Sequence, residues 1–343
     1  MLPTALDVYD ARRRLAPHLR PTPMLPSSWL SSIADGSVFL KLESLNLTHS
    51  FKIRGALNAA LKLVENHDDK PSAFAPSASA DKAGLSPQAQ GSPQAQTLVT
   101  ASAGNHGRAL ALAAEKLGLA CVVFTPEKAP EAKKNAIRRH GAVLHECDDY
   151  DAAEKQAREF AAAEGAVYIS PYNHPDVIAG AGTVGLDILE AMPSFEVVVI
   201  PLGGGGLSSG MGLVIKAAAP QATIVGVEVE ASSPFTLSLE AGRITGITPR
   251  PSLADGLVGN LEPGSITFPL VKQVVDYVVT VSEDDLTRAM RGLAAEEHLI
   301  VEGAGAAATA AIMSGKASAP GQRVIALVTG GNVDLPKWLF AVG

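Results

Sequence analysis

The sequence predicts an α/β protein built as two doubly wound lobes, and three observations lead there. The chain has 343 residues, more than one compact core usually serves. Hydrophobic residues make up 47% and aromatics only 5%, with Ala and Gly abundant, which suits close packing of helices on a sheet better than a β-sandwich. From Thr97 onward, short apolar β-type runs alternate with helical patterns across short connections, the arrangement of right-handed βαβ units on a parallel sheet.

The elements follow in order. Ala5 to Leu19 has helical periodicity and is bounded by Pro21 and Pro23. SVFLKLE, Ser37 to Glu43, reads as a strand. FKIRGALNAALKLVEN, Phe51 to Asn66, reads as a helix with Ser50 as its candidate N-cap. Residues 67–96 change character: Pro, Ser, Ala and Gln dominate and SPQAQ occurs twice, so too little apolar surface is available to offset ordering, and an exposed insertion is expected. Strands TLVTAS, ACVVF, AVLHE and VYIS then alternate with helices HGRALALAAEKLG, APEAKKNAIRRHG and YDAAEKQAREFAAAEG. Helix VIAGAGTVGLDILEAM, strand EVVVIPL, a glycine-rich turn, helix SSGMGLVIKAAA and strand TIVGVEV continue the pattern. EDDLTRAMRGLAAEEH and GAGAAATAAIM read as helices, and QRVIALVTGGN as a buried strand entering a glycine loop. The expected organisation is a large domain of residues 1–66 and 172–343, the insertion 67–96, and a small domain 97–171.

Composition excludes several functions. A net charge of −7 lacks the basic footprint of a nucleic-acid binder. No run approaches ~18 apolar residues, and the N-terminus has no signal-peptide core, so neither a membrane span nor export is expected and the location reads as cytoplasmic. Cys121, within ACVVF, reads as core; Cys147, beside Asp148 and Asp149, reads as a thiol kept neutral. Neither forms a CxxC pair, and no HExxH, EF-hand or GxSxG pattern occurs.

Four segments can carry chemistry. In THSFKIRGA, Lys52 falls in a first helical turn, where the helix dipole and burial lower proton affinity and favour the free amine needed for Schiff-base chemistry. Alone, a first-turn lysine with its head in solvent is the commoner case. In TASAGNHGRAL a small-residue loop runs into a helix, forming a cup of N–H groups suited to a carboxylate. A plain strand-to-helix turn, with His106 on the surface, is its bland counterpart. In VVVIPLGGGGLSSGM four glycines join a buried strand to a helix. Ser208 stands where a dinucleotide fingerprint requires its last glycine, so a phosphate monoester fits better. In ALVTGGNVD, Thr329 ends a strand at the sheet edge where ligands of open α/β sheets gather.

The order SFKIRGA, SAGNHG, GGGGLSSG, TGGN resembles the serine/threonine dehydratase and serine racemase branch of fold-type II pyridoxal-phosphate enzymes, along nearly the whole chain. That resemblance implies a tryptophan synthase β-like fold with pyridoxal 5'-phosphate in the cleft between the lobes, and a homodimer. It implies that Lys52 carries the cofactor as a Schiff base and shuttles the α-proton, that Phe51 packs beside the ring, and that Asn105 bonds its phenolic oxygen. Ser102, Ala103, Gly104, Asn105 and His106 would bind the substrate carboxylate. Gly203, Gly204, Gly205 and Gly206 would hold the phosphate, Thr329 would face the pyridine nitrogen, and Glu302 would lie near the site.

Two departures matter. Serine racemases have a second Ser in the loop as acid/base on the opposite cofactor face; Ala103 stands there, which favours one-sided elimination. The family's divalent-cation site is similar at Glu228, the one metal candidate, but Pro234 replaces a later acidic ligand, so a divalent or monovalent cation has an incomplete ligand set. The chain ends eleven residues after Asn332, without the C-terminal effector domain of biosynthetic threonine dehydratases, and a catabolic role is expected. The implied activity converts a β-hydroxy L-amino acid (threonine, serine, 3-hydroxyaspartate or phenylserine) to a 2-oxo acid and ammonia. The side-chain pocket is expected to draw on Ser170 to Thr183, with Tyr172, His174 and Asp176 as candidates. The alternatives are a serine racemase, a nicotinamide-dependent oxidoreductase, which the incomplete fingerprint disfavours, and a non-catalytic small-molecule binding protein.

Overall fold

The computed structural model describes residues 2–68 and 96–343. The described chain divides into two units, residues 1–55 with 170–343, and residues 56–169. The expected insertion lies outside the described residues apart from His67, Asp68 and Gln96.

In chain order the elements begin with α1 (Ala5–Leu15), β1 (Met24–Ser27), α2 (Ser28–Ala34), β2 (Ser37–Leu42) and α3 (Lys52–Asp68). The smaller unit adds β3 (Leu98–Ala101), α4 (Asn105–Leu117), β4 (Cys121–Pro126), α5 (Glu131–Arg138), β5 (Val143–Cys147), α6 (Tyr150–Glu164) and β6 (Val167–Tyr168). The larger unit resumes with α7 (Pro175–Ala191), β7 (Val197–Pro201), α8 (Gly206–Ala218), β8 (Thr223–Val229), α9 (Pro234–Ala241), α10 (Thr267–Val274) and β9 (Tyr277–Val281). It closes with α11 (Glu283–Glu296), α12 (Gly303–Met313), β10 (Arg323–Val328) and α13 (Leu335–Val342).

The larger unit's sheet has six strands in the order β1-β2-β10-β7-β8-β9. All pairs are parallel except β1 on β2, which run antiparallel from Met24 opposite Lys41. Helices cover both faces, so β7 and β10 are near-continuous apolar runs. On one face α12 is buried over Gly303 to Ile312, and its alanines let it lie flat on the sheet. On the other, α7 and α8 pack so closely that a Cβ on Gly210 would come within 2.1 Å of the Ile178 carbonyl. Glycine at that crossing is a packing requirement.

The smaller unit's sheet is fully parallel, in the order β5-β4-β3-β6. Ala153, Ala157 and Ala161 recur every fourth residue on α6 and bury its face against Val99, Val122 and Phe124.

The ends of the first and third helices differ from expectation. Helix α1 stops at Leu15, before the Pro21 and Pro23 pair, because Pro17 has no N–H to continue the ladder; His18 and Leu19 donate back to the Leu15 carbonyl instead. Helix α3 runs past Asn66 to Asp68.

Candidate active site

Lys52 is the first residue of α3. Ser50 does not cap the helix: its buried hydroxyl has no hydrogen-bond partner. Long-range backbone pairing fixes the approach to α3. Phe51 N–H donates to the Thr329 carbonyl at 3.1 Å, Gly331 N–H to the His49 carbonyl at 2.9 Å, and Asn332 Nδ2 to the Thr48 carbonyl at 2.8 Å. The SFK and TGGN segments are thus zipped together.

The side chain of Lys52 is half-buried, and its Nζ donates to the Pro171 carbonyl at 2.9 Å. Burial is the dominant influence and lowers its pKa to about 8, with Glu302 pulling in the opposite direction. Nζ also lies 5.1 Å from the centre of the Phe51 ring. Glu302 is the buried N-cap residue of α12, and its N–H reaches the Gly330 carbonyl at 3.3 Å. Thr329 is buried, and its hydroxyl donates to the Ala304 carbonyl at 3.2 Å.

Pro171 leads into Tyr172, which links the lysine to the glycine loop. A Cβ on Gly204 would come within 2.2 Å of the Tyr172 ring, so only glycine lets the backbone lie against that face. Gly205 has φ +82°, in the left-handed region, and a Cβ there would strike Phe235 at 2.6 Å. Gly206 opens α8, whose first-turn N–H groups have no carbonyl within the helix to bond. The Ser208 and Ser209 hydroxyls, fully buried in the same turn, have no partner. These features fit a phosphate: close backbone, the positive end of a helix, and spare donors.

In the smaller unit, Ser102 follows β3 and Asn105 opens α4, so that helix starts one residue earlier than expected. Ser102 Oγ accepts from Gly104 N–H at 3.2 Å, shaping the loop around Ala103. His106 is 2% exposed and its Nε2 lies 3.2 Å from the Ile169 carbonyl, so it is an internal residue and not a surface one.

Glu228, the metal candidate, is fully buried on β8 and turns its carboxylate to the start of α9. Its carboxylate accepts from Phe235 N–H at 2.7 Å, Thr236 N–H at 2.8 Å and the Thr236 hydroxyl at 2.6 Å. No group of three or more His, Cys, Asp or Glu is placed to hold a metal ion among the described residues. Cys121 and Cys147 are both free and buried. Burial pushes the Cys121 thiol up to about 12, and burial followed by Asp148 and Asp149 raises that of Cys147. Of the pocket candidates, His174 caps α7 by accepting Asp176 N–H on Nδ1 at 3.2 Å.

Sequence reading missed a buried charge cluster at the first turn of α3. Arg54 donates to Glu43 through Nε and Nη2, both at 2.8 Å, and to Asp187 at 2.6 Å. Lys41 donates to Asp187 at 3.1 Å and to the Thr22 carbonyl at 2.6 Å, and Arg12 also pairs with Asp187. Burial opposes the charge on Arg54, but Glu43 and Asp187 more than offset it and its pKa is raised. The arginine stood in the SFKIRGA motif, but its partners are distant in sequence.

A lysine tuned toward its free amine, tied through one short loop to a helix start stripped of side chains, defines a class. It is an α/β enzyme able to take an aldehyde on an amine and anchor it by a phosphate. Residues 15–330 match the family model described as pyridoxal-phosphate dependent enzyme, and the chain belongs to that family. The L-threonine ammonia-lyase of Thermotoga maritima is 37% identical over 97% of this chain and 76% of its own length. The catabolic L-threonine dehydratase of Escherichia coli K12 is 34% identical over 98% of this chain and 95% of its own. A solved pyridoxal 5'-phosphate-dependent aspartate racemase superposes with a TM-score of 0.85 at 28% identity, covering 98% of both chains. Among the described residues no helix is long and apolar enough to cross a membrane.

Proposed function

We propose that this enzyme is a dehydratase and ammonia-lyase that converts β-hydroxy L-amino acids of the threonine and serine type to a 2-oxo acid and ammonia. The observation that carries the reading is the Lys52 amine, with its pKa lowered to about 8 and its Nζ held on the Pro171 carbonyl at 2.9 Å. The names of the L-threonine ammonia-lyase and dehydratase relatives, and the share of the chain they match, support the substrate class.

Bound pyridoxal phosphate supplies an aldehyde for the substrate amine and an electron sink for charge developing at Cα. In this reading Gly203 to Gly206 would hold its phosphate through backbone N–H groups, Phe51 would pack beside its ring, Thr329 would face its pyridine nitrogen and Asn105 would bond its phenolic oxygen. Lys52, as the free amine, would take the α-proton, and the Pro171 carbonyl would keep Nζ in place while it is charged. Glu302 stabilises that charge from nearby. The loop Ser102 to His106 binds the substrate carboxylate.

The similarity to an aspartate racemase supports a second reading, in which the same carbanion is reprotonated on its other face. Ala103 argues against it, because a methyl group offers no proton there. Glu228 is assigned a structural role, capping α9. We place the enzyme in the cytoplasm as a homodimer acting in amino acid catabolism. Two unpaired cysteines suit a reducing compartment, and the family resemblance supports the dimer.

One assay tests the reading. The purified protein should be yellow and release 2-oxo acid from L-threonine or L-serine within a panel that includes 3-hydroxyaspartate and phenylserine. Lys52→Ala should lose both colour and turnover. Full turnover by that variant, or more D-serine than pyruvate from L-serine, would overturn it.

A further inference from the structure

A half-buried carboxylate in the connection between α9 and α10 grips the loop that links the lysine to the glycine cradle. Glu262 accepts the Ser170 hydroxyl on one oxygen at 2.9 Å and Asn173 Nδ2 on the other at 2.8 Å. Its own N–H donates to the Tyr172 phenol oxygen at 3.0 Å. Ser170 Oγ in turn accepts Asn173 N–H at 3.1 Å, and Asn173 Oδ1 accepts Ile266 N–H at 2.9 Å. One residue therefore fastens positions 170, 172 and 173, and the unfastened one between them, Pro171, presents the carbonyl that receives Lys52 Nζ.

We propose that Glu262 is a positioning residue for the cofactor site, setting the Pro171 carbonyl against the lysine and the Tyr172 ring against the glycine loop. This rests on the reading of Lys52 and Gly203 to Gly206 as the cofactor site. The link to the cradle is steric. The Tyr172 ring occupies the space a Cβ on Gly204 would fill, and its backbone abuts Gly206, where a Cβ would lie 3.1 Å from the Tyr172 carbonyl. Releasing the phenol from Glu262 N–H lets the ring rotate, and the glycine loop loses the surface that shapes it. Releasing Ser170 and Asn173 lets the Pro171 carbonyl turn from Nζ. Hydrogen bonds to a charged group are stronger than neutral ones, so the carboxylate holds more firmly than an amide would.

The chemistry of the clamp makes it testable by exchange of partners. Asn173→Asp alone sets two carboxylates face to face. Glu262→Gln alone leaves one amide to serve a hydroxyl donor and an amide donor. Combined, the two substitutions restore the pairing with roles reversed: the new amide donates to the new carboxylate and accepts the Ser170 hydroxyl, and the new carboxylate still accepts Ile266 N–H.

The affinity of the cofactor-free protein for pyridoxal 5'-phosphate is measured first on the unaltered chain. Failure to bind there, or binding that survives Lys52→Ala with its yellow colour intact, sinks the underlying reading and not the clamp. With binding established, Asn173→Asp should weaken it roughly tenfold to a hundredfold, and adding Glu262→Gln should recover most of the loss. The pH midpoint for chemical labelling of Lys52 in the cofactor-free protein should move with Asn173→Asp and return in the pair, a readout that loosening elsewhere would leave still. Unchanged affinity in Asn173→Asp, or a double variant no better than the single one, overturns the proposal. Should Asn173→Asp not fold, Glu262→Gln with and without it gives the same comparison.

Discussion

At the scale of single residues, Lys52 shows what environment does to a side chain. An ordinary lysine is only about 0.03% free amine at pH 7, whereas one at about 8 is roughly a tenth free. Because its folded pKa is depressed, the folded chain holds fewer protons on this group than the unfolded chain between about 8 and the ordinary 10.5. Without cofactor, the stability penalty is therefore fully present below pH 8 and is relieved as pH rises toward the ordinary value. In the cofactor-free protein, Lys52 should be labelled by an amine-specific reagent with a midpoint near 8, read by mass spectrometry; a midpoint near 10.5 would refute the buried amine. The motif and the dipole at the helix start pointed to this residue. Its hydrogen-bond acceptor and Glu262 were not visible, because they lie 119 and more residues away and no local pattern marks them. The contact that rules out the bland surface alternative for His106 was hidden for the same reason, since the carbonyl beside its ring belongs to Ile169.

Elements were legible in proportion to how strongly their own periodicity reflects burial. The alternation through β3 to β8 and α4 to α8 could be read because β3, β4, β7 and β8 are short buried apolar runs, α6 buries a single alanine stripe, and α7 and α8 are long runs of buried small and apolar residues. Strand β1 escaped because it is a four-residue antiparallel edge with Pro26 inside it and two exposed positions. Strand β9 is also at an edge and only half-buried, and α13 buries Trp338 alone. The start of α3 is the instructive case: Ser50 looks like a cap, yet pairing with residues 329 to 332 and the Arg54 cluster fix the first turn. Arg54 is 2% exposed and Glu43 fully buried, so removing the arginine takes both guanidinium bonds from Glu43 and leaves Asp187 only Lys41 and Arg12. Arg54→Leu should cost about 3–5 kcal/mol in unfolding free energy by denaturant titration. A loss below about 1 kcal/mol would show the cluster to be dispensable to α3.

For the whole molecule, the residues assigned to the cofactor belong to the larger unit apart from Asn105, which belongs with the substrate-carboxylate loop to the smaller one. Lys52, Phe51, Gly203 to Gly206, Glu302 and Thr329 all belong to the larger unit, and Ser102 to His106 to the smaller. The larger unit's contributors are spread over four stretches of sequence, joined by backbone pairing at 49–51 with 329–331 and by the loop 170–174. A ligand that bridges such stretches stabilises them together, and at a hundredfold excess over its dissociation constant it adds about 2.7 kcal/mol to the folded state. Amide hydrogen exchange should therefore slow on adding pyridoxal 5'-phosphate in residues 48–54, 170–174, 203–209 and 302–305, together with 329–332. The distant faces of the same unit, such as α11 and α13, should change little beyond any global increment. The substrate's carboxylate should then slow exchange at 102–106. Protection that bypassed 203–209 would remove the phosphate from the glycine loop and with it the assignment of that loop. Protection at 203–209 without any at 170–174 would keep the cradle and detach the Tyr172 loop from it.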